Sequence, residues 1–216
     1  MLDWLTHFFS VVCGQDLGHT WAPGGIPLPC CQRCLGLYAG AAVAAGLHLW
    51  LRPRLTGRFL GVHGAFLLAM APFGFHWAPQ GPALRTATGV LFGFAALTYL
   101  WLPLAGSHAD KGNLCSYLPS VVHFFPRLRL RRAVEAASSR QTPALRYAFG
   151  LLAALILAPV LAALGGKVAA YLLSGLASVG ALALAGLAVL NAVLGLAILA
   201  RMVRSLGGAP PTADTR

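Results

Sequence analysis

Four of the chain's five cysteines, Cys13, Cys30, Cys31 and Cys34, fall within its first 34 residues. Three sit in one run, Cys30-Cys31-Gln32-Arg33-Cys34, which leads directly into an apolar stretch beginning at Leu35. The two-residue spacing lets Cys31 and Cys34 grip one ion, and Cys13 adds a third thiolate across a loop of seventeen residues. Cys30, His19 or His76 would complete a tetrahedral set of four cysteines, or of three cysteines and one histidine, which suits zinc or a similar transition metal. The same thiols admit a second chemistry. Cys31 stands just outside a helix N-terminus, where the helix dipole and Arg33 favour a thiolate. A nucleophilic Cys31, a resolving Cys34 and a Cys13–Cys30 shuttle pair would make a quinone-linked thiol–disulfide oxidoreductase, with Arg85 on a quinone carbonyl. A third reading is two disulfides that staple an outer loop, in a structural subunit of a larger membrane complex.

The elements that must position these groups are apolar. Of 216 residues 58% are hydrophobic and only 10% charged, more apolar surface than a soluble domain of this size hides. The apolar residues come in long uncharged blocks, Leu35–Leu51, Phe59–Trp77, Thr86–Leu104, Tyr147–Leu164 and Val168–Ala200. The expected fold is therefore an all-α integral membrane protein with about five transmembrane helices. The last block would run ~50 Å as a helix, too long for one hydrocarbon core and too short for two, so a single long or tilted helix is expected. Before the spans, Leu2, Leu5, Phe9 and Val12 share one helical face opposite Asp3, His7 and Ser10, which predicts an interfacial helix in place of a cleaved signal peptide.

A net charge of +11 invites a nucleic-acid reading, but its distribution argues for orientation in a membrane. Segment by segment between the blocks, Lys and Arg number one, three, one, seven, one and three, an unbroken alternation. The positive-inside rule then places the N-terminus outside and the C-terminus in the cytoplasm, with Cys13, Cys30, Cys31 and Cys34 extracytoplasmic and Cys115 cytoplasmic. The basic segment at 107–146 mixes aromatics with the Arg127–Arg132 cluster and is expected to lie on anionic lipid headgroups. No nucleic-acid partner is expected. Only five acidic residues exist and none lies inside a block, which argues against a carboxylate-driven pump.

The chain divides into an interfacial helix and cysteine loop (1–34), a membrane domain (35–206) and a disordered tail (207–216). Seven glycines and prolines between Cys13 and Cys34 make that segment a loop, whose shape is expected to depend on cross-links. Small residues recur every fourth position at Gly36, Gly40 and Ala44, at Gly61, Ala65 and Ala69, at Gly89 and Gly93, and at Ala177, Ala181 and Ala185, as close helix packing in lipid requires. On the cysteine side, Gln15, Arg33 and Arg85 are candidates to contact a lipid or small-molecule headgroup. His48 and His63 lie at similar depth, and paired imidazoles there would suit a haem or, more simply, hydrogen bonds between helices.

Cys13-Gly14-Gln15 followed by Cys31-Gln32-Arg33-Cys34-Leu35-Gly36-Leu37-Tyr38-Ala39-Gly40 resembles a family of small bacterial and archaeal membrane proteins, the domain of unknown function 2085. Its pattern is similar to Cys-His-Gln, then Cys-x-Arg-Cys-x-Gly-x-Tyr-x-Gly, then Arg-x-x-Thr-Gly, which Arg85-Thr86-Ala87-Thr88-Gly89 fits. The resemblance implies a protein of the cytoplasmic (inner) membrane with a shared outer site, and it names no reaction. Gly14 stands where the family has His, and Cys30 is additional. A site of three cysteines and one histidine in the family would here need His19, Cys30 or His76 in place of the usual His.

Overall fold

The computed structural model describes residues 3–51, 53, 55–74, 77, 79–105 and 143–206. His76, Cys115, the Arg127–Arg132 cluster with most of the basic segment, and the 207–216 tail lie outside the described residues. Among the described residues every regular element is helical: α1 (Asp3–Ser10), α2 (Gln32–Leu51), α3 (Gly57–Ala69), α4 (Ala71–Gly74), α5 (Pro82–Ala105), α6 (Pro143–Leu164) and α7 (Lys167–Leu206). Their ends follow local chemistry. Pro82 and Pro143 open α5 and α6, where the missing N–H costs nothing. The Thr56 side chain caps α3 by accepting from the Phe59 N–H, and Gly165-Gly166 separates α6 from α7.

Four helices, α2, α5, α6 and α7, are long and apolar enough to cross a membrane. The expected second span is shorter than the sequence suggested: α3 covers 13 residues and gives way to the four-residue α4 one residue before Pro72, whose ring disfavours an unbroken helix. Pro159 sits inside an unbroken α6 and Pro103 inside α5.

The helices are held by backbone-to-backbone approach. A Cβ at Gly36 would strike the Thr86 carbonyl, at Gly40 the Val90 carbonyl, at Gly89 the Arg33 carbonyl and at Gly93 the Leu37 carbonyl. These pairs advance together along both helices, so α2 and α5 run parallel; farther along, His48 meets Thr98 and Trp101. The segment between them runs back. Near its start the Leu60 carbonyl accepts from Tyr99 of α5, and near its end the Phe73 carbonyl accepts from Arg33 of α2. Helix α6 is likewise antiparallel, with Tyr147 beside His48 and Ala162 in the cluster that holds Cys13 and Leu35. Helix α7 is parallel to α2, since Gly180 abuts the Tyr38 carbonyl and Asn191 donates to the Leu100 carbonyl. The Gly61, Ala65 and Ala69 stripe, by contrast, is exposed and meets no other helix among the described residues.

Helix α1 buries Leu5 and Phe9 against Leu35, Leu173 and Ala177 and leaves Trp4 and Phe8 exposed, as is Val12 in the turn beyond it. Its apolar face is thus spent on the bundle as much as on any interface. Phe9 packs on Tyr38 with ring centroids 5.2 Å apart, which ties α1 to α2.

Candidate metal centre

The loop between α1 and α2 folds back on itself so that its two ends meet. Thr20 and Cys31 form an isolated antiparallel bridge, and the Leu28 N–H donates to the Trp21 carbonyl. Trp21 donates its indole N–H to Thr86 on α5 at 2.9 Å, and Gly24, at φ 60°, sits against the Gly166–Lys167 backbone. Gln15 adopts a left-handed φ of 46° and donates its amide to the carbonyls of Thr6 and Pro29. That side chain therefore stitches the loop to α1, although it also borders the cleft beside the cysteines.

The fold brings three sulfurs together. Those of Cys13, Cys31 and Cys34 lie within 4.8 Å of one another. Thiolates at ~2.3 Å around a tetrahedral zinc stand about 3.8 Å apart, so a small inward adjustment would suffice. The Cys31 N–H donates to the Cys13 sulfur at 3.3 Å. Cys31, at the α2 N-terminus, has its thiol lowered well below the ordinary range, chiefly by hydrogen bonding from the Cys34 side chain, against the opposing effect of burial.

The remaining candidates separate. Cys30 is buried in the apolar cluster around Phe9 and Leu35, and desolvation with help from Cys13 and Cys31 pushes its thiol up. It is absent from the convergent sulfur group, which disfavours it as the fourth ligand. His19 borders the cleft, but its Nδ1 is 2.9 Å from the Asp16 carboxylate and outside ligand distance of the sulfurs.

A cleft of about 440 Å³ opens beside the sulfurs, bordered by Cys13, Cys31 and Cys34 and by Gln32, Arg33, Gln80 and Arg85. Arg33 is held by its Nη2, which donates to the Phe73 carbonyl at 3.0 Å and to Gln80 Oε1 at 3.3 Å. Gln80 in turn donates to the same carbonyl at 3.0 Å. Gln32 lies inside the Cys31–Cys34 spacing and Gln80 just before α5; the sequence assigns neither a role, because nothing local says that they border the cleft.

The histidine pair forms a second polar cluster, deeper in the bundle. His48 Nε2 is 3.0 Å from Thr98 Oγ1, His63 Nε2 is 3.1 Å from the Tyr147 hydroxyl, and His63 Nδ1 is 2.8 Å from the Phe59 carbonyl. Thr98 Oγ1 and the Tyr147 hydroxyl are 3.3 Å apart and close the network. Both Nε2 atoms are engaged by protein hydroxyls, so the hydrogen-bonding alternative accounts for the pair and the haem reading is not carried.

Residues 13–99 match the model of a family described as Predicted membrane protein (DUF2085), in agreement with the resemblance read from the cysteine signature. The matched stretch contains the three convergent sulfurs, Arg33, Arg85 and the parallel α2–α5 pair. No curated protein and no solved structure matches the chain.

Proposed function

From that match and from the sulfur geometry, we propose that this is a membrane protein whose extracytoplasmic loop binds a zinc-like ion through Cys13, Cys31 and Cys34. The convergence of three thiols from two sequence-distant segments carries the reading. Three thiolates more than neutralise a divalent ion, and an ion between them would fix the loop at both ends, adding to the apolar contacts that Leu28, Cys30 and Trp21 make with the bundle. The fourth position is left to His19, if it turns from Asp16, or to a molecule in the cleft; Cys30 would have to leave the core to reach it. Gln15, Arg33 and Arg85 border that cleft, as a headgroup-binding role requires.

The topology proposed is five crossings, N-out and C-in, in the cytoplasmic membrane. Two parallel helices can both cross a bilayer only if the chain returns between them. The α3–α4 segment runs antiparallel to both and is the candidate for that return. Its 17 helical residues reach ~25 Å, somewhat short of a ~30 Å hydrocarbon core. Exposed apolar faces on α6 and α7 suit lipid or the helices of other subunits. Anionic headgroups at Arg127–Arg132 remain part of the proposal.

The lowered Cys31 thiol supports a second reading, thiol–disulfide exchange with a quinone as electron acceptor. One experiment separates the two: elemental analysis with a free-thiol count on detergent-purified protein, without reductant or chelator. About one equivalent of metal with protected, reduced sulfurs supports the centre. Oxidised sulfurs and no metal reject it. Cys34→Ser is expected to abolish metal retention and loosen the loop, whereas in the exchange enzyme it would trap Cys31 as a mixed disulfide.

A further inference from the structure

Resting on the metal reading above, we infer that the cleft beside the three sulfurs binds a phosphate group, free or as a monoester headgroup, which closes the fourth position on the ion and is held by Arg33 and Arg85. Three observations lead there. Two guanidiniums border the same cleft as the sulfurs, and among the described residues neither is ion-paired; the one bordering carboxylate, Asp16, is turned to His19 at 2.9 Å. Arg33 borders the cleft and is fixed through Nη2, which donates to the Phe73 carbonyl and to Gln80, while its Nε is buried with no partner. Gln32 is only 4% exposed, borders the cleft, and has a buried Oε1 without a donor.

Charge decides the ligand class. Three thiolates with a divalent cation carry about one net negative charge against two guanidiniums, and the Asp16 carboxylate is turned to His19, so the part of the cleft lined by Arg33 and Arg85 favours an anion. An ionised carboxylate offers only acceptors. Hydrogen phosphate and phosphate monoesters offer acceptors for both arginines and a P–OH donor for Gln32. The N-terminus of α2, a 20-residue helix, adds its positive end at the same place. The cleft volume, about 440 Å³, leaves room for more than a bare phosphate.

The test uses the full chain in phosphatidylcholine nanodiscs with cobalt(II) as the metal, whose visible bands report the fourth ligand. Inorganic phosphate is titrated, and a parallel preparation carries about one tenth phosphatidic acid. A saturable band shift with phosphate is expected, weakened at least about tenfold by Arg85→Gln and less by Arg85→Lys. If free phosphate is the source, the shift occurs in phosphatidylcholine alone. If a lipid is the source, it is present in the phosphatidic acid discs and phosphate adds nothing. Bound cobalt with bands that neither source moves would overturn the inference and leave the metal centre standing. So would a shift equally strong in Arg85→Gln. Failure to bind cobalt with intact thiols would overturn the metal reading and the inference together.

Discussion

Cys13, Cys31 and Cys34 owe their meaning to which neighbours each sulfur meets. Cys30 is adjacent in sequence to Cys31, yet its side chain turns into the apolar cluster while Cys31 faces Cys13 and Cys34. Alternation across an extended segment separates neighbours in this way, and no spacing rule could say which of the two would face the cleft. The lowered Cys31 thiol yields a pH prediction. In metal-free protein, iodoacetamide is expected to alkylate Cys31 first, at a rate nearly flat from about pH 8 to 6.5, where an ordinary thiol slows about tenfold per unit. A folded-state value below the unfolded one makes the thiolate a stabilising group above the ordinary thiol range near 8.5, and that contribution is lost as pH falls through the lowered value. Mass spectrometry of peptides labelled at several pH values checks the assignment. Steep pH dependence at Cys31 would contradict it.

At the scale of elements, the glycines of the family-like signature, with Gly93 one turn beyond it, acquire a physical reason. Gly36, Gly40, Gly89 and Gly93 let α2 and α5 touch backbone to backbone, and this contact delivers Arg33 and Arg85 to the same cleft. Gly93→Val is expected to cost about 1–3 kcal/mol, because its side chain must displace a carbonyl and not a flexible side chain. Gly61→Val meets open space and is expected to be near neutral. Thermal unfolding of both variants in one detergent distinguishes a specific interface from a general intolerance of bulk. The small-residue spacing predicted packing at both stripes, and among the described residues only the α2–α5 stripe meets a helix, because periodicity marks a smooth face without saying whether another helix lies against it. The hydroxyl network makes a similar demand. Tyr147→Phe would leave His63 Nε2 buried without its partner, at an expected cost of about 1–3 kcal/mol and with no effect on metal content.

For the whole molecule, the parallel α2–α5 pair asks for a returning segment between them, while the proposed orientation rests on the charge alternation alone. A membrane-impermeant maleimide on intact cells is expected to reach the cysteine loop once metal is chelated, and a C-terminal reporter is expected to be cytoplasmic; the reverse pattern would invert the orientation. What the sequence by itself determined is what composition and local spacing encode: a helical membrane protein, its long apolar blocks, the Cys31–Cys34 pair and the likeness of residues 13–99 to a membrane family. Hydropathy and a two-residue chelate spacing are local quantities and survive without coordinates. The sequence also offered Cys13 as the third ligand; only the tertiary structure brought its sulfur to that pair and turned Cys30 away. It also decided that α3 is shorter than its apolar block, that Gln15 stitches the loop, and that Gln32 and Gln80 flank the arginines. Each of these depends on where a chain reversal ends or which face a neighbouring helix covers, and those are settled by packing among residues far apart in the chain.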